Sequence, residues 1–139
     1  MKAYSDIEQS KKLTEILPIE SADMYYQYVL PKLSKIKHNP EIGNPVNALK
    51  WYNKGYTMFG KEPITMDEYC VPCWSLAALL DIMPDRIDDS HFLTLDKEGK
   101  EYCCCYEDIN GNSFKHEFAD NAIDACVKMI ELLHKENLL

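Results

Sequence analysis

The sequence predicts an α+β fold: N-terminal helices, then a three-stranded antiparallel β-meander, then a C-terminal helix packed on the sheet. Three observations carry this expectation. Helix-start signals followed by apolar residues at helical spacing mark the N-terminal part of the chain. Three strand-like runs follow one another between His91 and Phe118, separated by Gly99 and by Asn110-Gly111. An Asn-Gly pair between alternating runs is a strong hairpin signal. Ile123, Cys126, Val127, Ile130 and Leu133 then recur along one face of a helix. The 139 residues are expected to form one domain. A chain of that length buries roughly two thirds of its unfolded surface, enough for a core without covalent staples.

The elements are justified in order. Ser5 and Glu8 have the spacing of a capping box. A helix is expected from about Asp6 to Leu17, with Ile7, Leu13, Ile16 and Leu17 on one side and Pro18 as its limit. Ser21 is read as opening a second helix through Ala22, Met24, Tyr25, Tyr28 and Val29. Pro31 lacks an N–H and kinks or ends it, and Leu33 and Ile36 suggest a further turn. Residues 38–63 are punctuated by Pro40, Gly43, Pro45, Gly55, Gly60 and Pro63 and read as a long connection. Connections of that length tend to carry function or to move. Within it, Asn44 as cap and Pro45 at the first position allow a short helix from Val46 to Asn53.

Pro72 suits the first turn of another helix, through Trp74, Leu76, Ala77, Leu79, Leu80 and Ile82, before Pro84. That helix is apolar nearly all round and so is expected to be buried. The strands are placed at about His91–Asp96, Glu101–Glu107 and Ser113–Phe118. In the third, Phe114, His116 and Phe118 alternate with Lys115 and Glu117 and give it one apolar face. The last helix and the tryptophan helix are the expected cover for such a face. Asn121 caps the last helix, with Asp124 at its third position.

Composition excludes several function classes. Apolar residues make up 46% and charged residues 27%, ordinary for a globular chain, and the net charge is −8. An acidic field of that size repels a phosphate backbone, so nucleic acid is not an expected partner. Lys32, Lys35 and Lys37 are the densest basic group and read as a solvated face. No apolar run approaches the roughly 20 residues that cross a bilayer, so no membrane partner is expected. The start, MKAYSDIEQSKK, has no apolar stretch of secretory type. A cytoplasmic location follows as the expectation, with the six cysteines as thiols.

Five of those cysteines fall in CVPCW, residues 70–74, and EYCCCYE, residues 101–107. Three readings compete. Cys70, Cys73, Cys103 and Cys105 supply the four thiolates of a zinc site if the two segments meet, because Cys103 and Cys105 share one strand face while Cys104 points away. The spacing is unfamiliar for zinc, though, and neither pair lies in a tight glycine turn. A thioredoxin-like use of CVPC would need a preceding buried strand, and GKEPITMDEY does not read as one. The third reading is packing: cysteine is small and readily buried, and Cys73 and Cys126 lie on apolar helical stretches.

Other constellations are weaker. DINGNS, residues 108–113, imitates a calcium loop, but its sixth position is Ser113 and its twelfth is Ala119. A hairpin turn explains it better. Asp85, Asp88, Asp89 and His91 form an acidic corner, which does acid–base work only in a cleft that perturbs it. No nucleophile elbow, P-loop or dinucleotide fingerprint is present. The stretch WYNKGYTMFG, residues 51–60, carries Trp51, Tyr52, Tyr56, Met58 and Phe59 in a segment that otherwise looks like loop. Such aromatics anchor interfaces, or else fold back as a satellite of the core. Tyr25, Tyr26 and Tyr28 pose the same choice, and the two sets together would line one groove.

Three blocks, YSDIEQSKKLTEILPIESADMYY, PCWSLAALLDIMP and FADNAIDACVKMIELLHKENLL, resemble a group of short uncharacterised proteins of gut Bacteroidetes and their prophages or mobile elements. The similarity runs end to end and is faintest over residues 31–65. It implies a cytosolic accessory protein of a mobile element and carries no assigned chemistry. It also implies that the proline, tryptophan and leucines of PCWSLAALL are the signature, with Trp74, Leu76 and Leu79 serving the core. The expected function is a non-enzymatic protein-interaction module with a protein partner and no cofactor. Trp51, Tyr52, Tyr56, Phe59, Tyr25 and Tyr26 are its candidate contacts. The alternative is a zinc or thiol-redox protein using Cys70, Cys73, Cys103 and Cys105.

Overall fold

A computed structural model describes residues 1–29 and 35–139. The kink expected at Pro31, with Lys32 and Leu33, lies outside the described residues. The chain divides into two compact units, one of residues 6–75 and one of residues 1–5 with 76–139.

In the unit of residues 6–75, helix α1 (Ile7–Thr14) is capped by Asp6 rather than Ser5. The Asp6 carboxylate accepts from the Gln9 N–H at 2.8 Å, and the Gln9 side chain accepts from the Asp6 N–H at 3.1 Å. The box is displaced by one residue because Asp and Gln serve these roles as well as Ser and Glu do. Leu13 is buried, and α1 packs on the strand formed by Cys70–Cys73.

The second expected helix is a strand, β1 (Met24–Gln27). Aromatic and β-branched residues dominate Met24–Val29, and these favour a pleated, half-buried surface when partner strands are available. The partners are β2 (Glu41–Ile42) and β3 (Cys70–Cys73), both antiparallel, in the order β2-β1-β3. CVPC is therefore not the start of the tryptophan helix. Pro72 fits because β3 is an edge strand, where a missing N–H breaks no ladder. Trp74 follows, fully buried, and its indole N–H donates to the Ser21 hydroxyl at 2.9 Å.

Residues 38–63 are more than a connection. They hold β2 and helix α2 (Pro45–Met58). The Asn44 side chain accepts from the Val46 N–H at 2.9 Å, as its position predicts, and donates back to the Ala22 carbonyl at 3.1 Å. The helix outruns its expected end at Asn53 because Gly55, though costly, does not stop it. Gly60 does: with φ at +73° its N–H turns back to the Thr57 carbonyl at 3.0 Å. The short helix α3 (Met66–Tyr69) then leads into β3, closed by a Thr65–Glu68 capping box.

In the other unit, helix α4 (Leu76–Ile82) is followed by the predicted meander of β4 (Phe92–Glu98), β5 (Glu101–Glu107) and β6 (Ser113–Ala119). Helix α5 (Ala122–Lys135) is capped by Asn121, which accepts from the Asp124 N–H at 2.8 Å. It packs on β5, β6 and α4. Its Ile123, Ile130 and Leu133 are fully buried, each stabilising by about 2 kcal/mol. Tyr106 is buried too, and its hydroxyl donates to the Pro84 carbonyl at 2.6 Å.

Helix α5 covers the face of the sheet opposite to the one expected. Alternation along β5 puts Cys104 and Tyr106 on the helix side, where the Cys104 thiol hydrogen-bonds with the Cys126 thiol. Phe114, His116 and Phe118 remain exposed on the other face. The reason lies in β5, the central strand. Its Cys104 and Tyr106 offer a helix a close, deep seat. On the edge strand the helix-side residues Lys115 and Glu117 need only reach the helix margin, where Lys115 pairs with Glu136.

Candidate functional site

Helix α2 shows two contrasting faces. Ala48, Leu49, Tyr52 and Tyr56 pack against Ile64, Tyr69 and Cys70. Asn53, beside them, holds the backbone of Ile64 from both sides: its amide donates to the carbonyl at 3.0 Å and accepts from the N–H at 2.9 Å. Asn47, Trp51, Lys54, Gly55 and Met58 are all exposed. They recur at i, i+4, i+7, i+8 and i+11, which is a single stripe on a helix. Trp51 is 74% exposed, Met58 78% and Phe59, just past the helix end, 84%.

The aromatic residues expected to act together divide between these faces. Tyr25, Tyr52 and Tyr56 join Tyr69 in a satellite core: Tyr52 lies 5.1 Å from the Tyr69 ring and 5.3 Å from Tyr56, and Tyr25 lies 5.8 Å from Tyr69. Burial, and then the neighbouring Tyr56, push the Tyr52 hydroxyl above its usual range. Tyr26 sits on the other face of β1 and is only 2% exposed, so it offers a partner no surface. Trp51 and Phe59 are left on the surface. The single groove expected from both clusters is therefore not formed by these residues.

The exposed stripe also differs in charge from the rest of the chain. Residues 43–61 contain Lys50, Lys54 and Lys61 and no carboxylate, within a chain of net charge −8. Lys54 lies over the Trp51 ring at 5.3 Å and Lys61 over Tyr56 at 5.1 Å. A Cβ added to Gly55 would meet nothing within 4 Å. Among the described residues no neighbour thus accounts for a residue that costs a helix interior about 1 kcal/mol. With no side chain there, Gly55 leaves a gap in the stripe between Trp51 and Met58, which we call the notch.

The cysteines are arranged differently from both chemical readings. Cys70 and Cys73 lie three residues apart in a strand and so point to opposite faces. They form neither a chelate turn nor a helix-start redox pair. Burial, and then Asp67, push the Cys70 thiol up to about 12, which leaves it a poor nucleophile at neutral pH. Cys103 and Cys105 belong to the other unit.

There the open face of the meander carries a regular grid. Across β4, β5 and β6 its rows read Asp96–Cys103–Phe118 and Thr94–Cys105–His116, and Phe92 pairs with Glu107 in the next. The Thr94 hydroxyl meets the Cys105 sulfur at 2.9 Å, and the Glu107 carboxylate lies 3.9 Å from it. Donor atoms of Asp96, Cys105 and Glu107 all lie within 4.8 Å of one another. Burial, followed by Cys105 as neighbour and hydrogen-bond partner, pushes the Cys103 thiol up to about 12.

The acidic corner is a capped turn. Asp88, at φ +64°, accepts from the Ser90 and His91 backbone N–H groups at 2.8 and 2.9 Å and meets the His91 ring at 2.9 Å.

Sequence reasoning missed Lys54, Gly55 and the role of Met58, although their spacing with Trp51 is readable once the segment is taken as a helix. It also missed Thr94 and Asp96, which only strand register brings near Cys105, and Glu107, which strand alternation alone puts on its face. Among the described residues no helix is long and apolar enough to cross a membrane. The chain matches no protein-family model, and comparison with curated proteins and with solved structures returns no match.

Proposed function

We propose that the chain is a non-enzymatic protein-interaction module and that the exposed stripe of α2 is its docking face. The observation that carries this reading is the stripe itself: Trp51, Met58 and Phe59 stand 74–84% exposed beside Lys54 and the Gly55 notch. Tryptophan is enriched among the residues that dominate interface energetics. Isolated exposed apolar residues are common, but large ones aligned on one helix face mark an interaction surface. The local lysines specify the chemistry of the partner: an acidic segment with apolar side chains, presenting small residues where it crosses the notch. An accessory role of this kind agrees with what the resemblance to mobile-element proteins implies.

The test is photo-crosslinking from position 51, with a benzoylphenylalanine in place of Trp51, in the cells where the chain is naturally made. A discrete crosslinked protein, joined through an acidic segment, is the expected product. Its capture by the unmodified chain should fall at least tenfold in Trp51→Ala and Met58→Ala and weaken as salt rises. Ile42→Ala, at another exposed apolar residue, should leave it unchanged. Loss of folding in Trp51→Ala would return Trp51 to the core and remove the proposal. Equal capture by all variants would do the same.

A further inference from the structure

We infer that the open face of the meander holds a zinc site, with Asp96, Cys105 and Glu107 as its protein ligands. This is independent of the docking face and lies in the other unit.

Position on the sheet is the first argument. The cysteines that serve packing in this unit meet between the sheet and α5: Cys104 on β5 and Cys126 on α5 itself. Cys103 and Cys105 face the side that α5 leaves uncovered, yet they are only 6% and 3% exposed. Asp96 is exposed and Glu107 half-exposed, so the cluster opens to solvent at its carboxylates.

Geometry is the second. Tetrahedral zinc with bonds of about 2.0–2.3 Å needs its donor atoms about 3.3–3.8 Å apart. The donor atoms of Asp96, Cys105 and Glu107 already lie within 4.8 Å of one another. Adjustment of side-chain torsions closes the remainder with no change of strand register. The Cys103 thiol, hydrogen-bonded to Cys105 and paired across the ladder with Asp96, stands beside this cluster and not within it.

Orientation and charge are the third. Thr94 holds the Cys105 sulfur at 2.9 Å and would donate its hydroxyl proton to a metal-bound thiolate, the kind of outer-shell bond that fixes a ligand. Among the described residues no salt bridge engages Asp96 or Glu107. Sulfur donors favour zinc over magnesium or calcium, and mixed sulfur and carboxylate donors suit its borderline softness.

Chelator-treated, reduced full-length protein is titrated with cobalt(II) and then with zinc(II). The expected result is one metal per chain by native mass spectrometry, with a sulfur-to-cobalt charge-transfer band that zinc abolishes. Cys105→Ser should weaken zinc binding by tenfold or more. Asp96→Asn and Glu107→Gln, at positions open to solvent, should each weaken it by several-fold while the circular dichroism spectrum stays unchanged. Cys70→Ser should bind as the parent does. Four results would overturn the inference: no stoichiometric uptake, uptake without the sulfur band, uptake unchanged in Cys105→Ser, or uptake lost in folded Cys70→Ser.

Discussion

Replacing Gly55 by alanine separates the two roles that a residue on the α2 stripe can have. Glycine in a helix interior costs about 1 kcal/mol relative to alanine, through the conformational freedom it loses on folding. The added methyl would touch nothing within 4 Å, so no clash offsets that gain. Gly55 also lacks the positive φ that would strain an alanine. The substitution should therefore stabilise the unit of residues 6–75 by about 1 kcal/mol, roughly a fivefold shift in its folding equilibrium. Urea unfolding followed by circular dichroism reads this as a higher midpoint at unchanged slope. The same variant fills the notch between Trp51 and Met58. A partner backbone crossing there would be pushed outward, and capture should weaken by about tenfold, on the scale of 1–3 kcal/mol for overpacking a fitted contact. Stability and binding thus move in opposite directions. A destabilised Gly55→Ala would refute the open-notch geometry. A stabilised variant that captures its partner undiminished would refute the notch as a contact.

Two further predictions follow from local geometry. Asn53→Ala removes both bonds that hold the buried backbone of Ile64, and leaving such groups unpaired should cost about 1–3 kcal/mol in urea unfolding; a cost within error of zero would mean water replaces them. Asp88 is held at about 2, below its ordinary 3.8, chiefly by the Ser90 backbone N–H and then by the His91 ring. Because the folded value is depressed, its contribution to the turn is present above the ordinary value and is lost as pH falls through about 2. The Ser90 amide resonance should show no carboxylate step near pH 4 and move near pH 2. Movement centred near pH 4 would show the carboxylate unbound, and Asp88→Asn should keep the turn while abolishing the titration.

Much of the fold was readable from local signals. Asn44 and Asn121 cap helices where their positions say they should, and Asn110-Gly111 turns one hairpin of the meander. These features depend on a few neighbouring residues, so the sequence by itself determined them. It also determined the composition of the α2 segment, in which tryptophan, methionine and lysine stand together without a carboxylate. Other features depend on partners distant in the chain, and there the tertiary structure decided. Met24–Gln27 carries apolar residues compatible with either period, and became a strand because β2 and β3 flank it. CVPC likewise became an edge strand, which turned its thiols to opposite faces. The tyrosines of α2 went inward because Tyr69 and Ile64 received them, while Trp51, on the same helix, stayed 74% exposed. Cys105 gained Thr94 and Asp96 through the register of β4 on β5, while Glu107 shares its own strand face. The physical reason is common to all four. Backbone ladders and buried faces are shared between segments, so their gain is fixed by what lies across from a residue and not by the residues beside it.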